Sequence, residues 1–372
     1  MKRMIGLFLA VVMMFTMSSC SGSGSSDSQQ SDAASIVAGS ASTADLVSMR
    51  VAVMPYAISM PTYYAIETGL AQQYGLELEL VMFSSGATMN EAMASNQFDV
   101  APIGGAGIYG IASYDGVYIA DQVIYEKTDD GQPTGGDGIY CLADHPAIDV
   151  KGYNEEYPNV CGDPDTVRGS TILYTSGTTA HQLVIMWLDA LGIELDEVSM
   201  LNMDFAQSYN ALKTGQADFA CLTSPYTTQA QNEGYAYVAD GKSLHQSSVE
   251  SIMSPRDYYE ENKENLARFL CMQYEANRQL EEGGIDLKVE WMKNWYDYNG
   301  TSYTDEEVYA EMETGVLCTW DTYTKVEYGA YAKDLADFYL LNELLTQDAV
   351  ENVNNNITTD VFEMAKKMAG ET

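Results

Sequence analysis

Basic residues are scarce in this chain: 18 Lys and Arg stand against 54 Asp and Glu in 372 residues. Nothing resembles a basic stripe, which excludes nucleic acid as a partner. The acidic residues are dispersed rather than run together, so they read as solvated surface that keeps the protein soluble. Histidine is rarer still. His145, His181 and His245 lie far apart in sequence, and there is no CxxC pair or Cys/His cluster. No metal site and no cofactor is expected from such a set. G-x-S-x-G, H-E-x-x-H and a Walker loop are also missing. An enzyme therefore has no catalytic set to stand on, and none is assigned. The apolar run Met4–Met17 is too short for a membrane span of about 20 residues.

That run has another use. Lys2 and Arg3 give a positive start, the apolar stretch follows, and Met17-Ser18-Ser19 supplies small residues before Cys20. Together they predict a secretory signal over residues 1–19. The cysteine directly after the cleavage site resembles a bacterial lipobox, with Met17 in place of the usual leucine. This resemblance implies that Cys20 carries a lipid. Ser21-Gly22-Ser23-Gly24-Ser25-Ser26 and the Ser- and Ala-rich sequence beyond it bury nothing, so residues 20–45 are expected to be a flexible tether. The address is the extracytoplasmic face of a membrane, reached by a lipid anchor.

About 325 residues remain, enough for two domains of ordinary size. Among the other cysteines, Cys141 and Cys161 flank a polar segment with Pro146, Gly152 and Pro158, and outside the cell a disulfide is expected to staple it. Cys221 in a strand-like run and Cys271 in a helix-like run read as buried free thiols.

The body opens with a strand over Met49–Met54. Pro61 fits a first helical turn, where its missing N–H costs nothing, and Thr62–Ala71 has helical spacing. A strand over Leu76–Phe83, the Ser84-Ser85-Gly86 turn, a helix to about Ser95 and a strand over Asp99–Ile103 follow. Strand, loop and helix in this order predict an α/β fold with a mainly parallel sheet. The pattern then recurs. Ala92–Ala101, with Asn96 and Gln97-Phe98-Asp99, reads like Ala211–Ala220, with Gly215 and Gln216-Ala217-Asp218. Each is a helix end, a residue tolerant of positive φ and then a strand, which suggests two similarly built lobes. In the second lobe the strand Thr171–Tyr174 leads through Thr175-Ser176-Gly177-Thr178-Thr179 into a helix that buries Leu183, Val184, Trp187, Leu188 and Leu191. Hydroxyls and open N–H groups at that helix start either cap it or hold an anion. After about Ser251 acidic amphipathic helices take over, and their Trp291, Trp295, Tyr296 and Tyr298 read as core.

Gly105-Ala106-Gly107-Ile108-Tyr109-Gly110 matches G-x-G-x-x-G, but it follows the third strand, and no acidic residue sits about 20 residues on. A close backbone approach to a small ligand fits better than a dinucleotide.

The segment Pro61-Thr62-Tyr63-Tyr64-Ala65-Ile66-Glu67-Thr68-Gly69-Leu70, followed by Tyr74-Gly75-Leu76-Glu77-Leu78-Glu79-Leu80, resembles the opening of the nitrate/sulfonate/taurine solute-binding proteins of ABC importers. Ser84-Ser85-Gly86, Gln97–Val100, Val167–Ile172, Ser176–His181, Ala217–Ala220 and Ser224-Pro225-Tyr226 follow in the family's order. The resemblance covers most of residues 49–245. It implies a type II-like periplasmic-binding-protein fold of two lobes, each a mixed, mainly parallel sheet flanked by helices. Lobe 1 is expected over 46–138 and 249–372, and lobe 2 over 139–248. It also implies a monomeric extracytoplasmic subunit that works with an ABC permease. The subunit would capture a small anionic or zwitterionic organic solute. By the family's pattern, ligand contacts fall at Pro61, Thr62 and Tyr63, at Ser84, Ser85 and Gly86, at Gly105 and Ala106, at Ser176, Gly177, Thr178 and Thr179, and at Pro225 and Tyr226. Tyr63 is expected to cover the body of the solute. None of these segments holds a basic residue, which leaves room for an aromatic heterocycle stacked on tyrosines, such as a thiamine-precursor pyrimidine. The related pyrimidine-making enzyme has a cysteine-rich signature that is missing here. A ligand sensor feeding a receptor is a third alternative.

Overall fold

The computed structural model describes residues 46–125, 136–246, 248–313, 315–324 and 327–371. The expected signal, Cys20 and the tether lie outside these residues. Eleven strands are present among the described residues. In chain order they are β1 (Val47–Val53), β2 (Leu76–Met82), β3 (Ala101–Ile103), β4 (Gly116–Tyr125), β5 (Gly138–Cys141), β6 (Thr171–Tyr174), β7 (Ser199–Asn202), β8 (Phe219–Leu222), β9 (Ala236–Asp240), β10 (Ser248–Pro255) and β11 (Val316–Leu317).

β2 pairs with β1 in parallel, and a parallel bridge between Val51 and Val100 joins β1 to the start of β3. On the other side of β3 run β10, β4 and β11, in the order β11-β4-β10-β3. The second sheet has the order β7-β6-β8-β5-β9. β6 is parallel to β7 and β8, while β5 is antiparallel to both β8 and β9. Each sheet is thus parallel apart from the strand on which the chain crosses over, β5 in one and β10 in the other, and the short β11 at one edge.

The central strands are buried on both faces, as in parallel sheets, while the edge strands β2 and β7 are largely exposed. Alternation along β1 sends Met49, Val51 and Val53 to one core and Ala52 to another. Along β8, Phe219 and Cys221 face one cluster while Ala220 and Leu222 face a second. The Lys263–Glu282, Gly284–Asn299 and Asp360–Ala369 helices supply buried residues to the first core, among them Phe269, Trp295, Tyr296 and Phe362. Trp295 and Tyr296 are core, whereas Tyr298 is exposed.

The recurring Gln-x-Asp has a structural meaning. Asp99 Oδ2 accepts the Arg50 N–H at 2.7 Å, and the Asp99 N–H donates to Arg50 O at 2.9 Å. In the other lobe Asp218 Oδ2 accepts the Thr171 N–H at 2.7 Å, and the Asp218 N–H donates to Thr171 O at 3.0 Å. In each case the aspartate before the third strand clasps the first. The chain reaches it through Asn96 at φ 50° or Gly215 at φ 68°. Gln97 Nε2 and Gln216 Nε2 then bond the hydroxyls of Ser95 and Thr214.

The expected Cys141–Cys161 disulfide is corrected: both are buried free thiols. Burial pushes the Cys141 thiol up to about 12, with Cys161 nearby adding to the rise, and burial also raises the Cys161 thiol. The expected helix over Thr62–Ala71 is broken at Gly69, φ 74°, into Met60–Glu67 and Leu70–Gln73.

The two clasps differ in burial. Asp99 is 6% exposed and also receives the Arg50 guanidinium at 2.6 Å, whereas Asp218 is exposed. Asp99→Ala should therefore cost about 2–3 kcal/mol and Asp218→Ala about 1 kcal/mol or less. Urea melts of the two variants beside the parent measure both, and equal costs would refute a role for burial.

Candidate functional site

In each sheet the parallel strands end in loops that open helices, and these loops face each other across a cleft between the sheets. This is the binding edge of open α/β sheets. The first sheet contributes Met54–Ser59 after β1, Ser84-Ser85 after β2 and Gly104-Gly105 after β3. The second contributes Thr175–Thr178 after β6, Met203-Asp204 after β7 and Thr223-Ser224-Pro225 after β8.

The lobes touch along this line. Ser84 Oγ donates to Asp204 Oδ2 at 2.9 Å. The ring of Tyr56 meets Phe205 edge-on at 6.0 Å, while the Tyr56 carbonyl accepts Trp295 Nε1–H at 3.1 Å from behind. Gly105 lies so close to Thr179 that a Cβ would sit 3.2 Å from Thr179 Cγ2 and 3.1 Å from Leu335 Cδ2. Gly177, at φ 69°, lies against the Tyr109 ring. The Ala330–Leu341 helix reaches over from the first lobe: Tyr339 Oη donates to Thr178 O at 3.2 Å, and Tyr331 Oη donates to Gln182 Oε1 at 3.4 Å.

Tyrosine dominates this cleft. Tyr109 and Tyr339 rings are 4.9 Å apart, and His181 lies 4.6 Å from Tyr174 and 6.4 Å from Tyr339. Burial holds His181 down to about 4, so it is neutral, and its Nδ1 accepts the Gly177 N–H at 3.2 Å. Asp137, directly before β5, is partly exposed and bonds the side chains of Thr179 and Thr223. Its charge also bears on the phenols of Tyr56, Tyr331 and Tyr339. Burial raises the Asp137 carboxyl from 3.8 to about 6, and the two hydroxyl bonds only partly oppose this. No group of three or more His, Cys, Asp or Glu suited to a metal ion occurs among the described residues.

Residues 42–286 match the model of the NMT1-like family. The chain belongs to the NMT1-like family. Among its relatives is a Brachyspira hyodysenteriae protein provisionally named an ABC transporter periplasmic binding protein. That protein is 30% identical over 324 residues, which cover 87% of this chain and 91% of the relative. Solved structures share the architecture. The periplasmic nitrate-binding protein of Synechocystis superposes with a TM-score of 0.67 at 15% identity, over 87% of this chain and 89% of its own. The alkanesulfonate-binding protein of Xanthomonas axonopodis, bound to MOPS, gives 0.61 at 14%, over 82% and 97%. At such identities the likeness establishes the periplasmic-binding-protein fold. The relatives named here are binding proteins, not enzymes.

Within this family member the residues expected at the site divide. Ser84, Gly105, Ser176, Gly177, Thr178, Thr179 and Tyr226 lie in the loops at the cleft or open the helices that follow them. Pro225, in a cis peptide with Ser224, is buried beside them. Ser85 and Gly86 face inward. Ser85 forms a capping box with Thr88, and a Cβ on Gly86 would meet Ala106 at 2.6 Å. Ala106 is itself buried, its carbonyl taken by Asn90 Nδ2. The Thr178 hydroxyl donates to Thr175 O at 2.7 Å and caps no helix N–H.

Pro61, Thr62 and Tyr63 point into the first lobe. Thr62, fully buried, bonds Gln273, and Tyr63 packs among Trp291, Trp295 and Tyr298 rather than over the cleft. The glycine loop serves the chain's own packing: a Cβ on Gly107 would lie 2.4 Å from Met253 Cε. Tyr56, Asp137, Asp204, Thr223, Tyr331 and Tyr339 were not singled out from the sequence. Tyr331 and Tyr339, eight apart on one amphipathic helix, read equally well as plain core.

Two outcomes follow. Gly105→Ala adds a methyl against Thr179 and Leu335, so it should favour an open arrangement; a larger radius of gyration in small-angle X-ray scattering is the check. Asp137 carries a raised carboxyl in the fold, so its stabilising effect is complete below about pH 4 and is lost as pH rises through about 6. Asp137→Asn should match the parent in urea melts near pH 4 and exceed it at pH 7; coincident curves at both pH values would remove the effect.

Proposed function

We propose that this protein is the extracytoplasmic solute-capturing subunit of an ABC importer, held to the membrane through a lipid on Cys20. It takes a small organic solute in the cleft between its lobes, closes on it by a hinge motion and presents the closed form to a membrane permease. The observation that carries this reading is the set of cross-cleft contacts from Ser84 to Asp204 and from Tyr339 to Thr178, which join the strand ends of two separately cored lobes. Contacts of this kind form only when the lobes come together, and a solute between them adds to the closed state what it does not add to the open one.

The relatives support the importer reading: one is named as an ABC transporter binding protein, and the structural neighbours bind nitrate and alkanesulfonate. Within the solute classes weighed from the sequence, a zwitterion suits the cleft better than a simple anion. Asp137 and Asp204 stand there, and no Lys or Arg bears on Asp137 among the described residues. A monomer is the form this reading requires.

The anchor is tested by Cys20→Ala. The variant should move from the membrane pellet to the soluble fraction after a salt wash, with the body's circular dichroism unchanged. Continued pelleting would refute lipidation at this position. Solute capture is tested by native mass spectrometry of protein purified without dialysis, which should show a bound small molecule released on mild activation.

A further inference from the structure

The turn that opens the Thr179–Ala190 helix is shaped by a histidine of the second lobe. His181 is 5% exposed, and its Nδ1 accepts the Gly177 N–H at 3.2 Å. The Thr178 hydroxyl, donating to Thr175 O at 2.7 Å, closes the same turn. Two tyrosines of the first lobe meet the turn in this form. A Cβ on Gly177 would lie 3.0 Å from Tyr109 Cδ2, and Tyr339 Oη donates to Thr178 O at 3.2 Å. The His181 ring is itself walled from both sides of the cleft. Tyr174 of β6 lies 4.6 Å from it and Tyr339, on the Ala330–Leu341 helix, 6.4 Å. Parting the lobes takes Tyr339 away and lets water reach the imidazole.

We propose, resting on the hinge-closure reading above, that His181 is a positioning residue for solute capture. Neutral, it holds the turn in the form on which the lobes close; protonated, it releases the turn and the lobes part. A neutral imidazole has one acceptor nitrogen and an imidazolium has none, so a protonated His181 would set a donor against the Gly177 N–H. Burial opposes the charged ring as well, and it holds His181 down from 6.5 to about 4 in this closed arrangement. Reached by water, the ring is free to return toward 6.5. The open form therefore binds the proton more tightly and acid favours opening, an effect complete below about pH 4 and absent well above about 6.5. Between about pH 7.5 and 5.5 these two values are worth about tenfold in the ratio of open to closed lobes. The groups facing the ring, Tyr174 and Tyr339, are phenols that burial keeps protonated throughout this range. Asp137, which reaches the same helix through Thr179, acts with the opposite sign: burial favours its protonated form, so acid acting on it favours closing. A response to acid in the direction of opening points to the histidine.

The test uses the full chain carrying Cys20→Ala, in an Asp137→Asn background that removes the opposing carboxyl. The chain has 3 histidines, so NMR can follow each ring, and His181→Asn assigns the signal of His181. Its nitrogen shifts should show Nδ1 without a proton at neutral pH. Its titration midpoint should lie near 4 and rise by about 1 pH unit or more with Gly105→Ala, which favours open lobes. Small-angle X-ray scattering should give a larger radius of gyration at about pH 5.5 than at about 7.5. His181→Asn keeps an acceptor near the Nδ1 position but takes up no proton, so its radius should be the same at both pH values, with thermal melts to show that it is folded. If it does not fold, the midpoints with and without Gly105→Ala decide. The role of His181 is overturned if its midpoint stays in place although Gly105→Ala enlarges the radius, if the radius answers to Gly105→Ala but not to pH, or if His181→Asn answers to pH as its parent does. Each of these results leaves hinge closure standing. A radius unchanged by pH and by Gly105→Ala alike removes hinge closure and the role of His181 together.

Discussion

Each lobe depends on one clasp. An aspartate at the head of the third strand accepts the N–H of the first and donates its own N–H back, as Asp99 does for Arg50 and Asp218 for Thr171. Parallel strands cannot be joined by a tight turn, so their register has to be fixed from a distance. A charge-assisted bond at the strand start does this, and it does so twice in one chain. With the strand starts fixed at one end, the strand ends and the helices they feed fall at the other. That is where the cleft lies.

The cleft inherits two unlike walls. The second lobe brings the hydroxyls of Thr179 and Thr223. The first brings Tyr56 and, on the late Ala330–Leu341 helix, Tyr331 and Tyr339. Phenols satisfy an enclosed polar site without carrying charge, so Asp137 is left as a charged group with no cation acting on it among the described residues. Close contact at Gly105 makes lobe approach sensitive to a single methyl. Shape sets how near the lobes come.

The repeated Gln-x-Asp was legible because its parts are local: a helix end, a positive-φ residue and a strand lie within ten residues of one another. The helix after Thr179 was legible for the same reason, since Leu183, Val184, Trp187 and Leu188 fall on one face. Tyr63 was not. Its place in the Met60–Glu67 helix could be read, but which neighbour that face meets depends on Trp291 and Trp295, more than 200 residues away. The glycines after β3 were open to the same ambiguity. A glycine signals close approach, and here Met253 approaches Gly107 and Thr179 approaches Gly105.

The sequence by itself determined the alternation of strands and helices, the two-lobed plan and the family. These follow from periodicity, turn residues and composition, all of which act over a few residues or over the whole chain. Only the tertiary structure decided which residues face the cleft. Asp137 carries no motif, and Tyr331 and Tyr339 lie in the acidic helical part that resembles other family members only in character. Their meeting is set by long-range packing of the last third of the chain across the first sheet, and no local spacing encodes that.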